Sequence, residues 1–340
     1  VGSYTDSPEE GIGILTFNPT EKSLSIETIA KGIQNPSFVL ADGNRVFSLE
    51  EIEGPRGGNV LSFAWEKDQQ SLIQLDKIAS EGNHPCHLEY NNGYLVVSNY
   101  SGGNFAILEV QEDGKLTLRQ TVQHSGSGKN LDRQESAHVH SSNFSPDGKF
   151  LLVADLGTDK IYSYQFDPEN QEPLSLFEEF PMTPGDGPRH LAFSPDGKEV
   201  FVVQELTAVL EVFSYENGKL TSKQRLSLIP EGFEGTVGAA EVRVSPDGQH
   251  LYASNRGDAN TISVFAKQTD GSYALVEHVP SGGVMPRNFN LTPDGNYVLV
   301  AHQASEDIMV FKRDKETGRL SPISLSTKAP KPVYLFGISN

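Results

Sequence analysis

Two oppositely charged side chains, Arg189 and Glu205, stand at the two ends of one predicted β-hairpin in this sequence. Similar hairpins elsewhere in the chain carry His140 and Arg256 at matching places. A guanidinium group binds phosphate or carboxylate groups through two hydrogen bonds at once. A carboxylate or an imidazole can accept a proton from water. Together, these four side chains could bind an anionic compound and activate a water molecule against it.

The hairpin geometry predicts that these residues share one rim of the fold. An antiparallel hairpin brings its strand ends together at the edge away from its turn. Further candidate substrate-binding residues lie at the same predicted rim: Arg287, His190, His302, Asp155 and Asn99. Each residue also has a structural alternative. Arg189 and Glu205 could form a partly buried ion pair, and the histidines could hydrogen-bond to backbone.

The elements that would position these residues form a repeat. Turns with the sequence DG or NG end at Gly43, Gly93, Gly148, Gly197, Gly248 and Gly295, with a spacing of about 50 residues. In the SPDG and TPDG turns, Pro presets φ, Asp bonds to nearby backbone and Gly accepts a positive φ. After each turn come an apolar strand such as EVFVVQEL and an alternating strand such as IYSYQF. A fourth strand such as DGKLTLRQTV then follows.

Four antiparallel strands per repeat are typical of a β-propeller blade. The interior of the chain contains six first hairpins. At the N-terminus, VGSYT and GIGILTFN predict second and third strands, and KPVYLFGIS from Lys331 predicts a first strand. We therefore predict an all-β, seven-bladed β-propeller that forms a single domain over residues 1–340. Strands from both termini would form one blade and close the ring. An open array of the same units is the alternative.

Charge and composition restrict the partners. The formal net charge is −18, which disfavours non-specific binding to nucleic acid or to an anionic membrane. No apolar run is long enough to span a membrane, and no signal peptide is apparent. Because Cys86 is the only cysteine, no intrachain disulfide can form, and we expect a cytoplasmic protein. The sequence opens within a predicted strand, so we expect native residues ahead of Val1. It does not indicate an oligomeric state.

Histidine spacing raises a metal-dependent alternative. The HVH segment places His138 and His140 on one face of a strand. With His84 and His87 of the HPCH segment, these imidazoles could form a zinc site. The spacing alone is weakly specific, and we predict that the protein uses no metal and no cofactor.

The longest irregular stretch, residues 124–135, contains a GSGK segment like that of a phosphate-binding P-loop. A Walker A motif requires Gly at the position of Gln123 and Ser or Thr at the position of Asn130. We therefore reject a nucleotide site and predict a flexible loop over one face of the propeller.

Four segments resemble the propeller-type lactonases: HSSNFSPDGKFLLVADLGTDKI, GPRHLAFSPDGKEVFVVQEL, AAEVRVSPDGQHLYASNR and PRNFNLTPDG. This family includes the bacterial cycloisomerase-like 6-phosphogluconolactonase and the fungal carboxy-muconate lactonising enzyme. The resemblance covers essentially the whole chain. It implies that His140, Arg189, Glu205 and Arg256 are active-site residues and that the reaction needs no metal.

Hydrolysis of a lactone needs a base for water and donors for the oxyanion that forms on the carbonyl. We expect Glu205, or His140 with it, to be the general base. Arg189 and Arg256 would bind the anionic group and the oxyanion, with Arg287 in support. The expected substrate is a small anionic sugar lactone, in first place 6-phospho-glucono-1,5-lactone of the pentose phosphate pathway.

Three alternatives stay open at this point. The first is a lactonase or cycloisomerase acting on another acidic lactone, such as a muconolactone. The second is a metal-dependent lactonase. The third is a non-catalytic propeller that binds other proteins, as WD40 scaffolds do. The only tryptophan, Trp65, is not followed by Asp, and the predicted rim is charged rather than aromatic, so we rank the scaffold low.

Overall fold

The structure is a computed structural model that describes residues 1–337 as short antiparallel β-sheets without an α-helix. No helix in this part of the chain could cross a membrane. Six sheets contain four strands each, and each sheet follows the predicted order along the chain. The prediction of six internal four-stranded blades is therefore confirmed.

The six blades, in chain order, are the following. Their strands are β4 (Val39–Asp42), β5 (Arg45–Glu50), β6 (Asn59–Glu66) and β7 (Ser71–Ala79); β8 (Pro85–Asn91), β9 (Tyr94–Asn99), β10 (Asn104–Val110) and β11 (Leu116–Gln123); β12 (Val139–Phe144), β13 (Phe150–Asp155), β14 (Lys160–Phe166) and β15 (Leu174–Pro181); β16 (Pro188–Phe193), β17 (Glu199–Gln204), β18 (Val209–Glu216) and β19 (Lys219–Ser227); β20 (Ala239–Val244), β21 (His250–Asn255), β22 (Thr261–Lys267) and β23 (Tyr273–Pro280); β24 (Pro286–Leu291), β25 (Tyr297–His302), β26 (Asp307–Arg313) and β27 (Leu320–Lys328).

Four more strands come from the ends of the chain: β1 (Gly2–Ser3), β2 (Gly11–Asn18), β3 (Ser23–Lys31) and β28 (Pro332–Tyr334). Strand β1 pairs with β28, and β2 pairs with β3. Backbone hydrogen bonds also join Val1 to Gly13, at 2.7 and 3.1 Å. Strand β28 covers only three residues of the predicted first strand KPVYLFGIS. The last two residues of that segment lie outside the described part of the chain.

The tight turns have the chemistry that their sequences predict. In the turn between β16 and β17, the Gly197 amide donates to the Ser194 carbonyl at 2.8 Å, and Gly197 has a φ of +70°. Asp196 Oδ1 accepts hydrogen bonds from the Ser194 hydroxyl at 2.6 Å and from the Lys198 amide at 3.2 Å. Because Gly has no Cβ, it adopts this left-handed conformation at little cost. The turn residues therefore fix each hairpin locally.

Apolar side chains fill the spaces between neighbouring blades. For example, Phe201 and Val203 of β17 pack in one cluster with Leu251 and Phe265 of the next blade. Every residue of β17 is buried, whereas most residues of the outer strand β19 are exposed. The first strands lie innermost, where β8, β12, β16, β20 and β24 contact one another in order. This packing fixes the radial position of each strand.

Candidate active site

Two recurring positions in the blades bring side chains to one shared rim. The first is a β-bulge near the start of the innermost strand, where one extra residue re-aims the local side chains. The second is the residue directly after the second strand, beyond the last pair of the ladder. The bulges contain Cys86, His140, Arg189 and Arg287, and the residues after the second strands include Glu51, Tyr100, Glu205 and Arg256.

Glu205 lies at the centre of a group of cationic side chains. Its Oε1 atom accepts a hydrogen bond from Arg133 Nη2 at 2.6 Å. Its Oε2 atom lies 3.1 Å from Arg256 Nη2 and 2.9 Å from Arg189 Nε, although the angle of the latter contact is too poor for a hydrogen bond. His140 Nε2 is 4.0 Å from the same oxygen. The structure therefore brings together all four residues that the family resemblance selected.

A second carboxylate, Glu51, faces the same rim. The Tyr4 hydroxyl donates to Glu51 Oε1 at 2.9 Å and accepts from Arg287 Nη2 at 3.1 Å. The Ser37 hydroxyl donates to the other oxygen of Glu51. Arg287 and Arg189 line one small cavity together with Glu51, so the predicted supporting role of Arg287 agrees with its position.

We name the guanidinium groups of Arg133, Arg189, Arg256 and Arg287 the arginine cluster. Arg133, Arg189 and Arg256 contact the Glu205 carboxylate, and the Tyr4 hydroxyl links Arg287 to the Glu51 carboxylate. Four guanidinium groups and two carboxylates give this group of described residues a net charge of +2. The whole chain carries −18. A concave, positively charged site on a negative protein attracts an anion more strongly than the average charge indicates.

Burial and neighbouring charges set the protonation states of the site. Burial alone would raise the pKa of the Glu205 carboxyl, but Arg256 and Arg189 hold that pKa well below its usual range. Burial and the charge of Arg189 lower the pKa of His140 well below its usual value. Burial, followed by Arg256, lowers the pKa of Arg189 to about 10. At neutral pH the site therefore contains an anionic Glu205, a neutral His140 and cationic arginines.

His190 lies beside this group and has a different carboxylate partner. Its Nδ1 atom is 3.1 Å from Glu241 Oε2, and both side chains are buried. The His190 ring lines the cavity near Arg189. It also lines a second cavity of about 120 Å³ between the innermost strands, whose other polar residues include Arg243 and Glu89. His190 therefore lies between the two cavities and lines both.

Three predicted substrate-binding residues are not part of this group. Asn99, Asp155 and His302 are each the last residue of a second strand, one position before the residue that faces the rim. Successive strand residues point to opposite sides, so this single step separates a blade-internal position from a rim position. All three side chains are fully buried.

The contacts of these three residues explain their burial. Asn99 Nδ2 donates to the Ser80 carbonyl at 2.9 Å. Asp155 Oδ1 accepts from the amides of His138, Gly157 and Thr158 at 2.8 to 3.1 Å. His302 Nδ1 lies 2.9 Å from Asp307 Oδ1 in the same blade. These residues tie loops to strand ends and lie outside the group around Glu205.

The extra histidines also have structural partners. His138 stacks on Tyr100 with ring centres 4.5 Å apart, and its Nε2 lies 3.1 Å from Glu135 Oε1. His87 packs against Phe38 at 4.6 Å, and burial lowers its pKa to about 3. Within residues 1–337, no three His, Cys, Asp or Glu side chains are grouped as ligands for a metal ion. The zinc alternative therefore receives no support from these positions.

Arg133 was not among the site residues predicted from the sequence. It belongs to the loop of residues 124–135, which was predicted only to be flexible and to cover one face. Gln134 anchors this loop, since its fully buried side chain donates to the Leu156 carbonyl at 2.8 Å and to Asp159 Oδ1 at 2.6 Å. At the start of the loop, buried His124 Nδ1 lies 2.8 Å from Asp155 Oδ2. These anchors hold the exposed Arg133 guanidinium against Glu205.

The geometry combines anion binding with buried proton acceptors. The guanidinium groups form a binding surface for negative charge, and the nearby imidazoles are neutral at physiological pH. Ionic groups of this kind, fixed in a poorly hydrated site, stabilise developing charge more strongly than the same groups in water. The residues can therefore bind an anionic substrate and take a proton from a water molecule.

Comparisons with known proteins agree with this chemistry. The family model described as "Lactonase, 7-bladed beta-propeller" matches residues 1–336. The 6-phosphogluconolactonase of Bacillus subtilis is 32% identical over 341 residues, which cover 98% of this chain and 96% of that protein. The 6-phosphogluconolactonase of Formosa agariphila is 32% identical and covers 100% of this chain and 97% of its own length.

A solved structure extends the similarity to three dimensions. The periplasmic gluconolactonase of Pseudomonas aeruginosa has a TM-score of 0.91 and 34% identity, covering 98% of this chain and 96% of that one. The family match spans nearly all described residues, and the site residues lie within it. The chain belongs to the seven-bladed β-propeller lactonase family.

Proposed function

We propose that this protein hydrolyses a small anionic sugar lactone, in first place 6-phospho-glucono-1,5-lactone to 6-phosphogluconate. The observation that carries the proposal is the arginine cluster, whose net charge of +2 matches a phosphate dianion. The names of the Bacillus and Formosa relatives support the same substrate.

Exposure divides the arginine cluster into two parts. Arg189 and Arg256 have side chains that are only 2% and 11% exposed, and backbone carbonyls hold them. Arg189 Nη1 donates to the Ala240 carbonyl at 2.5 Å, and Arg256 Nε donates to the Gly238 carbonyl at 3.0 Å. In contrast, the Arg133 side chain is 44% exposed. In our proposal, the fixed pair stabilises the oxyanion and Arg133 binds the phosphate at the mouth.

Glu205 is better suited to organising these cations than to accepting a proton. Its carboxylate contacts three guanidinium groups, and its pKa lies well below the usual range. A base with so low a pKa accepts a proton from water poorly. We therefore propose that an imidazole at this rim, rather than Glu205, is the general base.

The test measures hydrolysis of fresh 6-phospho-glucono-1,5-lactone, with the spontaneous rate in the same buffer subtracted. The expected result is saturable catalysis that survives treatment with a metal chelator. A wild-type rate equal to that of buffer would refute the proposal. Loss of activity on chelation, restored by added metal, would instead favour the metal-dependent alternative.

Two other lactones test the substrate. The Pseudomonas relative is named for gluconolactone, which lacks the phosphate, and muconolactone carries one carboxylate instead. We expect kcat/KM to be highest for the phosphorylated sugar lactone, since only a dianion balances the arginine cluster. A higher kcat/KM for unphosphorylated glucono-1,5-lactone would transfer the proposal to that substrate.

We also propose that β28, β1, β2 and β3 form the seventh blade and close the ring, which makes the chain one domain. The β1–β28 pairing and the hydrogen bonds between Val1 and Gly13 support this arrangement. Tyr4 supports it too, because it follows β1 as Glu205 follows β17 and faces the same rim. Cytoplasmic location stays a prediction from the single cysteine, and one relative is named as periplasmic.

A further inference from the structure

A buried carboxylate–imidazole pair lies beside the arginine cluster, and none of the roles above uses it. Glu241 is only 1% exposed, and four groups hold its carboxylate. Arg243 Nη1 lies 3.0 Å from Oε1, which also accepts from the Val242 amide at 3.0 Å. Asn288 Nδ2 donates to Oε2 at 2.5 Å, and His190 Nδ1 lies 3.1 Å from the same oxygen. The position of Glu241 is therefore fixed from several sides.

The contact with Glu241 selects one tautomer of His190. A carboxylate only accepts hydrogen bonds, so Nδ1 must carry the hydrogen. In the neutral ring, the lone pair then lies on Nε2. This nitrogen is buried and has no hydrogen-bond partner within the described residues. A buried nitrogen without a partner is costly unless a water molecule or a ligand meets it.

We infer that His190 is the general base that activates the hydrolytic water and that Glu241 is its positioning residue. The inference rests on the proposed lactonase function. His190 lines the same small cavity as Arg189 and Arg287, which places its ring beside the cations that would hold the substrate. An imidazole whose other nitrogen is held by a carboxylate is the recurring arrangement of a positioned base.

His140 has weaker support for this role. Its Nδ1 atom is 3.9 Å from Cys86 Sγ, and its Nε2 atom is 4.0 Å from Glu205 Oε2. Neither contact fixes a tautomer as firmly as the 3.1 Å contact between His190 and Glu241. The two histidine rings meet edge to face with centres 5.2 Å apart, so His140 would help to orient His190 or the substrate.

Substrate charge would strengthen the proposed base. Burial and the charge of Arg189 lower the pKa of His190, and Arg243 and Arg287 act in the same direction. Glu241 opposes them at contact distance, and the rings of His87 and His140 that face His190 are neutral. A bound dianion offsets the field of the arginines and therefore raises the basicity of Nε2. Base strength would thus be coupled to occupation by an anionic substrate.

The reaction balances with this assignment. Nε2 takes a proton from water while the water oxygen bonds to the lactone carbonyl carbon, which gives a tetrahedral oxyanion. The oxyanion collapses and breaks the bond between that carbon and the ring oxygen. The imidazolium returns its proton to the ring oxygen, which leaves as a hydroxyl group. The carboxylic acid product then ionises and releases one proton to solvent.

The test compares His190→Gln, Glu241→Gln and His140→Gln with the wild type. We expect His190→Gln to lower kcat by about 10²- to 10⁴-fold with little change in KM, as loss of a general base does. Glu241→Gln should lower kcat less and move the acidic limb of the kcat/KM profile to lower pH, since it removes a charge that stabilises the imidazolium. His140→Gln should keep the pH limb of the wild type.

Two measurements independent of rate keep the test decisive. Calorimetric binding of 6-phosphogluconate reports whether each variant retains a folded site. Nitrogen-15 NMR of labelled histidines should show His190 with its hydrogen on Nδ1. The inference is overturned if His190→Gln keeps at least a third of the wild-type kcat, or if the hydrogen is on Nε2. A wild type inactive on every lactone would refute the proposed function itself, which separates the two failures.

Discussion

Arg133 offers the sharpest test of the proposed substrate, because it is the most exposed of the three cations that contact Glu205. Replacing it with Met keeps most of the length of the side chain and removes the charge. Its contact with Glu205 is half exposed to solvent, and such pairs contribute at most about 1 kcal/mol to folding. We therefore expect Arg133→Met to fold normally and to change its unfolding temperature little.

The effect on catalysis should depend on the phosphate. A hydrogen bond from a guanidinium to an anionic group contributes about 1.5–3 kcal/mol. At about 1.4 kcal/mol for each factor of ten, this predicts a decrease in kcat/KM of about 10- to 150-fold for 6-phospho-glucono-1,5-lactone. For unphosphorylated glucono-1,5-lactone, which has no group to fill this position, the change should be less than about threefold.

The assay measures initial rates on both lactones for the wild type, Arg133→Met and the control variant Lys129→Met. Lys129 is a cation of the same loop, and no ion pair joins it to Glu205 among the described residues. The control should retain wild-type kcat/KM on both substrates. Equal losses for Arg133→Met on the two lactones, or no loss on either, would refute phosphate binding by this residue. Higher ionic strength should lower the kcat/KM of the wild type for the phosphorylated lactone and leave its kcat/KM for glucono-1,5-lactone unchanged.

Two further substitutions test the roles assigned to other residues. Glu205→Gln should cost about 3–5 kcal/mol of unfolding free energy at pH 7, as loss of a buried charge partner does. Because the folded-state pKa of Glu205 is depressed, its contribution exists above the usual glutamate pKa of about 4.3 and disappears as pH falls toward the folded value. The urea midpoints of the wild type and Glu205→Gln should therefore differ clearly at pH 7 and approach each other in more acidic buffer. An equal difference at both pH values would contradict the assignment. His302→Gln should lose about 1–3 kcal/mol of stability through its contact with Asp307 yet keep kcat/KM within about twofold, and a selective loss of activity would return His302 to the site.

The blades could be predicted from the sequence because their signals are local. The Ser194–Pro–Asp–Gly197 turn closes with hydrogen bonds among its own residues. Its four residues therefore largely determine its conformation. Burial on both faces of β17 appears directly as its apolar run. The exposed outer strand β19 appears as a polar sequence with few large apolar residues.

The core of the candidate site was also predictable, but its exact register was not. Glu205 and Arg256 come from the position after the second strand and lie at the rim, whereas Asn99 and His302 come from the position before it. Charged and polar residues occur at both positions, so residue type does not distinguish them in the sequence. A bulge near the start of the partner strand shifts which residue faces the rim. A one-residue shift of this kind leaves no signal in the hydrophobic pattern.

Arg133 could not be predicted because nothing local identifies its partner. It lies 72 residues before Glu205 in the sequence, in a loop without periodic pattern. What holds the loop is Gln134, a polar residue that sequence rules assign to the surface and that is fully buried here. Its hydrogen bonds to Leu156 and Asp159 become visible only when the neighbouring blade is in place.

The last residue of the second strand and the residue after it have different roles. The first holds the blade together, and the second can vary in chemistry while the blade keeps its structure. Asn255, the last residue of β21, is fully buried and accepts from the Gly238 amide at 2.9 Å, which ties the entrance of the blade to its second strand. Arg256, one residue later, is outside the ladder and reaches Glu205 in the preceding blade. Replacing the first residue should remove hydrogen bonds within a blade, whereas replacing the second changes the charge and chemistry of the rim. Glu51, Tyr100, Glu205 and Arg256 occupy this second position in four different blades, so a uniform repeat presents side chains of different chemistry at one rim.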